Sequence, residues 1–73
     1  MKYKVGDRVR IKSLDWYNEN KDEEGAVICG NLCLYSINKH WCGKIVTIKT
    51  VLKDCDCYFV KENNAYWNDI MIE

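Results

Sequence analysis

The 73-residue sequence lacks a long hydrophobic run, a secretory signal and an excess of either charge. No apolar stretch approaches the roughly 18 residues that a membrane-spanning helix requires, and residues 1–6 show no apolar core of the kind found in signal peptides. We therefore expect a cytoplasmic protein without a membrane partner, whose five cysteines are free thiols. Eleven basic and eleven acidic side chains give zero net charge, which argues against general nucleic-acid binding through phosphate neutralisation.

Motifs for catalysis and metal binding are also absent from the sequence. There is no glycine-rich phosphate loop, carboxylate pair or hydrolase signature. The single histidine, His40, is two residues from Cys42, and side chains at that spacing on a helical turn point in different directions. The other cysteines have the spacings Cys-x3-Cys and Cys-x-Cys rather than the paired Cys-x2-Cys of zinc ribbons. We predict no enzymatic activity, no cofactor and no metal site, with Cys29, Cys33 and Cys57 as small core residues.

The clearest positive signal is a run of β-branched residues over positions 43–51. Such side chains crowd a helix but pack well on a pleated sheet. A second apolar run, at 58–61, follows a polar connection, so the pair predicts a β-hairpin. Period-two alternation directs four side chains into the core: Val46, Ile48, Tyr58 and Val60. Phe59 lies on the outward phase and therefore requires a partner on that face.

Residues 5–14 alternate in the same way and predict a first strand. Its inward side chains are Val5, Val9 and Ile11, and its outward side chains are Arg8, Arg10 and Lys12. Residues 15–25 are polar and acidic and carry no apolar stripe of helical period. A short helix is possible there, because Glu and Lys favour helices, but we expect a long ordered loop anchored by Trp16 and Tyr17.

Short elements separated by turns are predicted for the middle of the chain. A Gly-Asn pair at 30–31 splits an apolar segment, which fits two short strands or one irregular strand, and the pair could also form a tight hairpin turn with positive φ. Residues 36–42 predict one helical turn that begins at a capping Ser36. At positions i and i+4 of that turn, Ile37 and Trp41 would both face the core.

The end of the chain supplies a late turn, in which Asn68 can cap a 3₁₀ helix that directs Met71 into the core. About five short strands, one long early loop and one or two short helical turns are the layout of a small SH3-like β-barrel. We predict this fold for a single domain spanning residues 1–73. An OB-fold is the competing barrel, but it usually has longer strands and more residues. Closing the sheet would remove unpaired edges that favour aggregation.

Four segments carry a resemblance to a known family. They are residues 5–11 (VGDRVRI), 16–20 (WYNEN), 42–48 (CGKIVTI) and 67–73 (WNDIMIE). Together they resemble a group of small SH3-like proteins from bacterial genomes and prophages, and the resemblance extends nearly from end to end. It implies an SH3-like barrel in a phage or mobile element, and it implies no activity. The group usually ends in a Trp-x-Trp-Thr pattern, from which the Tyr66-Trp67-Asn68 of this chain departs.

An aromatic and acidic groove is the binding site that we predict first. In an SH3-like layout the early loop and the late 3₁₀ turn are neighbours, which would gather five side chains: Trp16, Tyr17, Glu19, Tyr66 and Trp67. Aromatic slots beside acidic residues bind extended peptides that carry basic side chains. Alternatively, the two tryptophans only close the ends of the barrel, because large aromatics are usually core residues in small domains.

A basic strand face is the second candidate site. Its cationic side chains are Arg8, Arg10, Lys12, Lys49 and Lys61. With the aromatic Phe59 they could bind nucleic acid, although zero net charge and the acidic segment 15–24 oppose this. The sequence thus predicts a monomeric, non-catalytic binding module for a protein or peptide partner, with nucleic-acid binding as the alternative.

Overall fold

Short strands make up most of the regular structure in the computed structural model, which describes residues 2–73. The strands are β1 (Arg8–Arg10), β2 (Val27–Cys29), β3 (Leu32–Leu34), β4 (Ile45–Leu52), β5 (Cys57–Val60) and β6 (Tyr66–Trp67). The connections contain one helix, α1 (Leu14–Asn20), and three 3₁₀ turns (Ser36–Trp41, Lys53–Cys55 and Asp69–Met71). The prediction of a small, predominantly β protein with short helical turns is therefore confirmed.

Two antiparallel sheets form the framework. The larger has the strand order β1-β4-β5-β6, and the smaller is the β2–β3 hairpin. Beyond β6, an isolated bridge joins Ile72 to Ile11, one residue past the end of β1. The Lys12 amide donates to the Met71 carbonyl at 2.8 Å beside this bridge. The segment after β6 thus returns to the first strand, although the strands of residues 2–73 do not form a continuous closed barrel.

The β4–β5 hairpin occupies the centre of the core, as the sequence predicts. The four side chains expected to face inward are all buried: Val46, Ile48, Tyr58 and Val60. The register shifts between Ile48 and Thr50, which is the behaviour of a β-bulge, and Lys49 at the shift is exposed. Val46 and Ile48, which precede this shift, stay in the core.

The first strand is shorter than predicted, because β1 begins only at Arg8. Before it, Gly6 adopts a φ of +93°, a conformation that interrupts an extended strand. Val9 and Ile11 are buried as expected. Val5 precedes the turn and is exposed, so its predicted inward orientation is wrong.

Part of the segment predicted as a long loop forms a helix, α1, so the preference for a loop is wrong there. Ser13 caps it, since its Oγ accepts from the Trp16 amide at 3.1 Å. Asp15 in the first turn complements the positive end of the helix dipole. Within the seven residues of α1 only Tyr17 is buried. A single buried side chain leaves no periodic pattern to detect.

The turn after β3 differs from the prediction in two respects. It is a 3₁₀ helix whose N-cap position is held by Tyr35, and no side chain caps it, so the predicted role of Ser36 is wrong. A 3₁₀ helix has three residues per turn, and positions i and i+4 therefore do not share a face. Ile37 is accordingly 77% exposed, and Trp41 is only half-buried.

Two predicted turns are confirmed. Gly30 has a positive φ of 63° in the tight connection between β2 and β3. Asn68 caps the last 3₁₀ turn, because its Oδ1 accepts from the Ile70 amide at 3.1 Å, and Met71 is buried.

Candidate binding surface

The five residues of the predicted aromatic and acidic groove do not lie on one accessible surface. Tyr17 and Trp67 are 1% and 0% exposed, and both belong to the core. Trp16 is half-buried against the core, whereas Glu19 and Tyr66 are exposed. Burial of Tyr17 and Trp67 excludes them from direct contact with a ligand in this conformation.

The buried aromatics are held by internal hydrogen bonds. The Tyr17 hydroxyl donates to the Gly25 carbonyl, which ties α1 to the end of the acidic segment. The Trp67 indole Nε1 donates to the side-chain oxygen of Asn63 at 3.0 Å. Polar groups of buried aromatics usually have such partners. These contacts favour the alternative in which the large aromatics are structural.

A partly exposed aromatic pair lies on the outer face of the larger sheet. Phe59 on β5 is the cross-strand neighbour of Tyr66 on β6, and their ring centroids are 4.5 Å apart with an interplanar angle of 31°. This pairing gives Phe59 the outward-facing partner that its phase in β5 requires. Aromatic cross-strand pairs of this kind stabilise a sheet. Tyr66 remains 50% exposed and therefore offers an aromatic face to solvent.

Tyr66 also lines a surface cleft of about 340 Å³, which we name the tyrosine cleft. Its other lining residues are Asn31, Leu32, Cys33, Tyr35, Asn38 and Ala65. Tyr35 is 56% exposed and immediately follows β3. Tyr35 was not predicted as a site residue. The alternation of the strand could have indicated its exposure, because Leu34 faces the core and Cys33 and Tyr35 face the other way.

The acidic segment lies close enough to act on the tyrosine cleft. The pKa of Tyr35 is raised, first by its hydrogen bond and charge interaction with Cys33, then by slight desolvation and by the charges of Asp22 and Glu24. Asp22 is held in place, because its Oδ1 accepts from the backbone amides of Glu24 at 2.9 Å and Ala26 at 3.0 Å. Asp22 and Glu24 therefore contribute a negative potential at Tyr35.

The predicted basic face is only partly available. Arg8, Arg10, Lys49 and Lys61 are exposed. The Arg10 guanidinium donates to the Gly43 carbonyl at 2.7 Å. Lys12 is half-buried and places its Nζ 5.1 Å from the centroid of the Trp16 ring, a cation–π contact. Two of the five cations therefore have structural partners.

A carboxylate lies among these cations. Glu62 accepts from the Thr47 amide at 2.8 Å and from the Thr47 hydroxyl at 3.0 Å. Thr47 pairs with Arg8 on one side, and its carbonyl accepts from the Lys61 amide on the other. The pKa of Glu62 is lowered, mainly by the Thr47 amide and also by the charge of Arg8. The ionised carboxylate reduces the positive potential of this face.

The cysteines and the histidine are distributed over several elements. Cys29 and Cys57 are buried, as predicted, whereas Cys33 is half-buried and lines the tyrosine cleft, so its predicted place in the core is wrong. The His40 ring lies 5.4 Å from the Trp41 ring, between centroids. Within residues 2–73 no three His, Cys, Asp or Glu side chains are grouped to hold a metal ion. In the same part of the chain, no helix has the length and apolar character needed to cross a membrane.

No family model, curated protein or solved structure matches the chain. The resemblance to small prophage-associated proteins therefore stays a prediction, carried by the sequence segments that suggested it.

Proposed function

We propose that this protein is a non-catalytic binding module that holds an extended, basic peptide segment in the tyrosine cleft. We also propose that its fold is an SH3-like barrel. The return of Ile72 to the edge beyond β1, after a late 3₁₀ turn, supports that assignment. The ligand class, an extended peptide with basic side chains, is the one predicted from the sequence. The proposed aromatic contact residues differ from that prediction, because Tyr17 and Trp67 are buried and Tyr35 takes their place beside Tyr66.

The observation that carries the proposal is the exposure of Tyr35 and Tyr66 on one cleft. Tyrosine supplies a large apolar contact area with few rotatable bonds, and its hydroxyl still bonds polar groups. The amides of Asn31 and Asn38 line the same cleft and can bond a peptide backbone. Aromatic faces with a few polar groups are typical of ligand clefts.

Charge complementarity defines the side chains of the peptide. Asp22 and Glu24 act electrostatically on Tyr35 and are exposed. An arginine or lysine beside Tyr35 would gain from both carboxylates and from the tyrosine ring. An acidic peptide would be repelled by the same groups. The proposal therefore predicts that the tyrosine cleft binds a positively charged peptide in preference to a negatively charged one.

The test is chemical-shift mapping with two peptides of equal length, one alternating arginine with apolar residues and one with glutamate in place of arginine. We expect the arginine peptide to shift the signals of Tyr35 and Tyr66. Tyr35→Ala and Tyr66→Ala should each weaken binding about tenfold or more, as at interface hot spots. Ile45→Ala is the matched control, because Ile45 is an exposed apolar residue outside the cleft. Shifts elsewhere, or an equal response to the glutamate peptide, would disprove the proposal.

Nucleic-acid binding is the second candidate, because Arg8 and Lys61 flank Thr47 on adjacent backbones and are both exposed. Glu62→Gln provides its test, since glutamine removes the negative charge and can still accept from Thr47. If the face binds nucleic acid, this variant should bind a random oligonucleotide more tightly at low salt, and Arg8→Glu should abolish binding. Absence of binding by both the wild type and Glu62→Gln removes this candidate.

A further inference from the structure

Two thiols at the start of β5 are in direct contact. The Sγ of Cys57 donates a hydrogen bond to the Sγ of Cys55 at 3.1 Å. Within residues 2–73 this is the one hydrogen bond between two thiols. The buried Cys29 thiol instead donates to the Val27 carbonyl at 3.6 Å. Neither the tyrosine cleft nor the basic face contains this pair.

The backbone between the two cysteines brings them together. Asp56, the intervening residue, has a left-handed conformation with φ 51° and ψ 46°. In an extended strand, Cα atoms two positions apart are separated by about 6.6 Å, twice the rise per residue. That separation is near the upper end of the range of about 4.4–6.8 Å that disulfides accept. The left-handed conformation of Asp56 shortens this separation, and the two sulfur atoms already lie 3.1 Å apart.

The two thiols differ in access to solvent, and the environment of Cys57 raises its pKa. Cys55 is partly exposed, whereas Cys57 is buried. Desolvation, the hydrogen bond with Cys55 and nearby negative charge raise the pKa of Cys57 to about 11. Cys57 therefore holds its proton near neutral pH. Cys55 is the sulfur that a reagent can reach, and the Cys57 hydrogen is already directed at it.

Two clefts meet at the residue between the cysteines. Asp56 lines one of about 470 Å³ and another of about 760 Å³. The larger cleft is also lined by Lys4 and Lys53, which are exposed. Asp54 and Asp56 stand on either side of Cys55 in the chain, so the charges around this cysteine are mixed and select no particular charge on a small reagent.

We propose that Cys55 and Cys57 are a redox-active dithiol that exchanges with a low-molecular-weight disulfide. Cys55, as the thiolate, attacks one sulfur of that disulfide and releases one small thiolate. Cys57 then gives its proton to solvent and attacks the Cys55 sulfur, which releases the second small thiolate. One protein disulfide forms, both protein thiols are oxidised, and the small disulfide is reduced to two thiols that take up the two protons.

Oxidised glutathione is the probe for the test. The folded protein is equilibrated with graded ratios of oxidised to reduced glutathione, quenched in acid, alkylated with N-ethylmaleimide and digested with trypsin. Cleavage after lysine places the Cys55–Cys57 pair in peptide 54–61, Cys29 and Cys33 in peptide 22–39, and Cys42 in peptide 40–44. Mass spectrometry then reads each group of cysteines separately.

We expect peptide 54–61 to lose two hydrogens and take up no maleimide, while the other two peptides remain fully alkylated. In Cys57→Ser, the mixed disulfide on Cys55 should accumulate because nothing resolves it. In Cys55→Ser, the buried Cys57 should react at least tenfold more slowly than Cys55 does in the wild type. Cys42→Ser is the control and should leave the behaviour of peptide 54–61 unchanged.

Three outcomes would overturn the proposal. The first is full alkylation of peptide 54–61 at every ratio. The second is a persistent glutathione adduct on Cys55 in the wild type. The third is an equal tendency to close the disulfide in urea-unfolded protein, which would show that the native contact contributes nothing. This last comparison needs no substitution, so the proposal is testable even if a variant fails to fold.

Discussion

The side-chain amide of Asn68 donates to the backbone carbonyl of Cys29 at 2.8 Å, and this bond connects the end of β6 to the β2–β3 hairpin. The oxygen of the same amide accepts from the Ile70 amide at 3.1 Å. Asn68 is buried, so water does not readily replace either bond. One side chain therefore both caps the last 3₁₀ turn and joins the two sheets.

Asn68→Ala should lower the free energy of unfolding by about 2 kcal/mol, because it leaves the buried Cys29 carbonyl and the partly buried Ile70 amide without side-chain partners. Asn68→Asp is the informative comparison, since it keeps the acceptor for Ile70 but presents a carboxylate to the Cys29 carbonyl. We expect Asn68→Asp to be strongly destabilised at pH 7 and to recover as the pH falls, because a protonated carboxyl can donate. Urea denaturation at pH 7 and pH 4 measures both effects. Equal stability of Asn68→Ala and the wild type would contradict the structural role.

Tyr58→Phe should lower the free energy of unfolding by about 1–2 kcal/mol at pH 7. The buried Tyr58 hydroxyl donates to the Asp69 carboxylate and accepts from the Tyr3 amide at 3.2 Å. Desolvation and the bond to Asp69 raise the pKa of Tyr58 from 10 to about 12. A raised folded-state pKa adds stability that is complete below pH 10 and is lost as the pH rises towards 12.

The stability difference between wild type and Tyr58→Phe should therefore shrink between pH 10 and pH 12. Denaturation across that interval provides the measurement. A difference that stays constant through pH 12 would show that the hydroxyl is not held in its neutral form by the fold.

Glu62→Ala should destabilise the protein by about 0.5–1 kcal/mol at pH 7, a modest figure because the carboxylate is exposed and screened. The lowered pKa of Glu62 means that its contribution is present above the unfolded-state pKa and is lost as the pH falls through the folded-state value. The difference from wild type should accordingly disappear in acid. Thermal unfolding at pH 7 and pH 3 tests this, with Glu62→Gln as the variant that retains an acceptor for Thr47.

Ser13→Ala should reduce stability by about 1 kcal/mol, since it removes the side-chain acceptor that caps α1. Ser13→Asp retains an oxygen for the Trp16 amide and favours the positive end of the helix, so it should be close to wild type. Hydrogen exchange of the α1 amides distinguishes loss of the cap from a general loss of stability. Identical exchange in both variants would argue against a capped helix.

Local patterns predicted the parts of this fold that depend on local geometry. Alternation placed Val46, Ile48, Tyr58 and Val60 in the core, because side chains of a strand change face at every residue. The cap at Asn68 was also predictable, because the bond from the Ile70 amide to the Asn68 side chain spans only two positions in the sequence. The second bond, from the Asn68 amide to the Cys29 carbonyl, joins residues 39 positions apart and therefore produces no local sequence pattern.

The candidate site was harder to predict because it joins distant segments. The tyrosine cleft brings residues near β3 together with residues of β6, so the exposure of Tyr35 depends on how those strands pack. For Trp67 the error is the reverse, because a residue predicted to lie at the binding surface is buried in the core. An aromatic residue near a predicted groove can equally fill the core, and a chain of 73 residues has few other side chains of that size. Composition alone could not decide between these outcomes.

The pairing of Ile11 with Ile72 has a consequence for the order of events during synthesis. The edge of β1 emerges early from the ribosome, but its partner is translated only after every other strand. Contacts between such distant positions form slowly, because a large loop must close first. A nascent chain halted before Ile72 would expose an unpaired strand edge that neighbouring chains could join. The edge beyond β1 therefore stays unpaired until Ile72 is available, and pausing of synthesis before that point should favour aggregation.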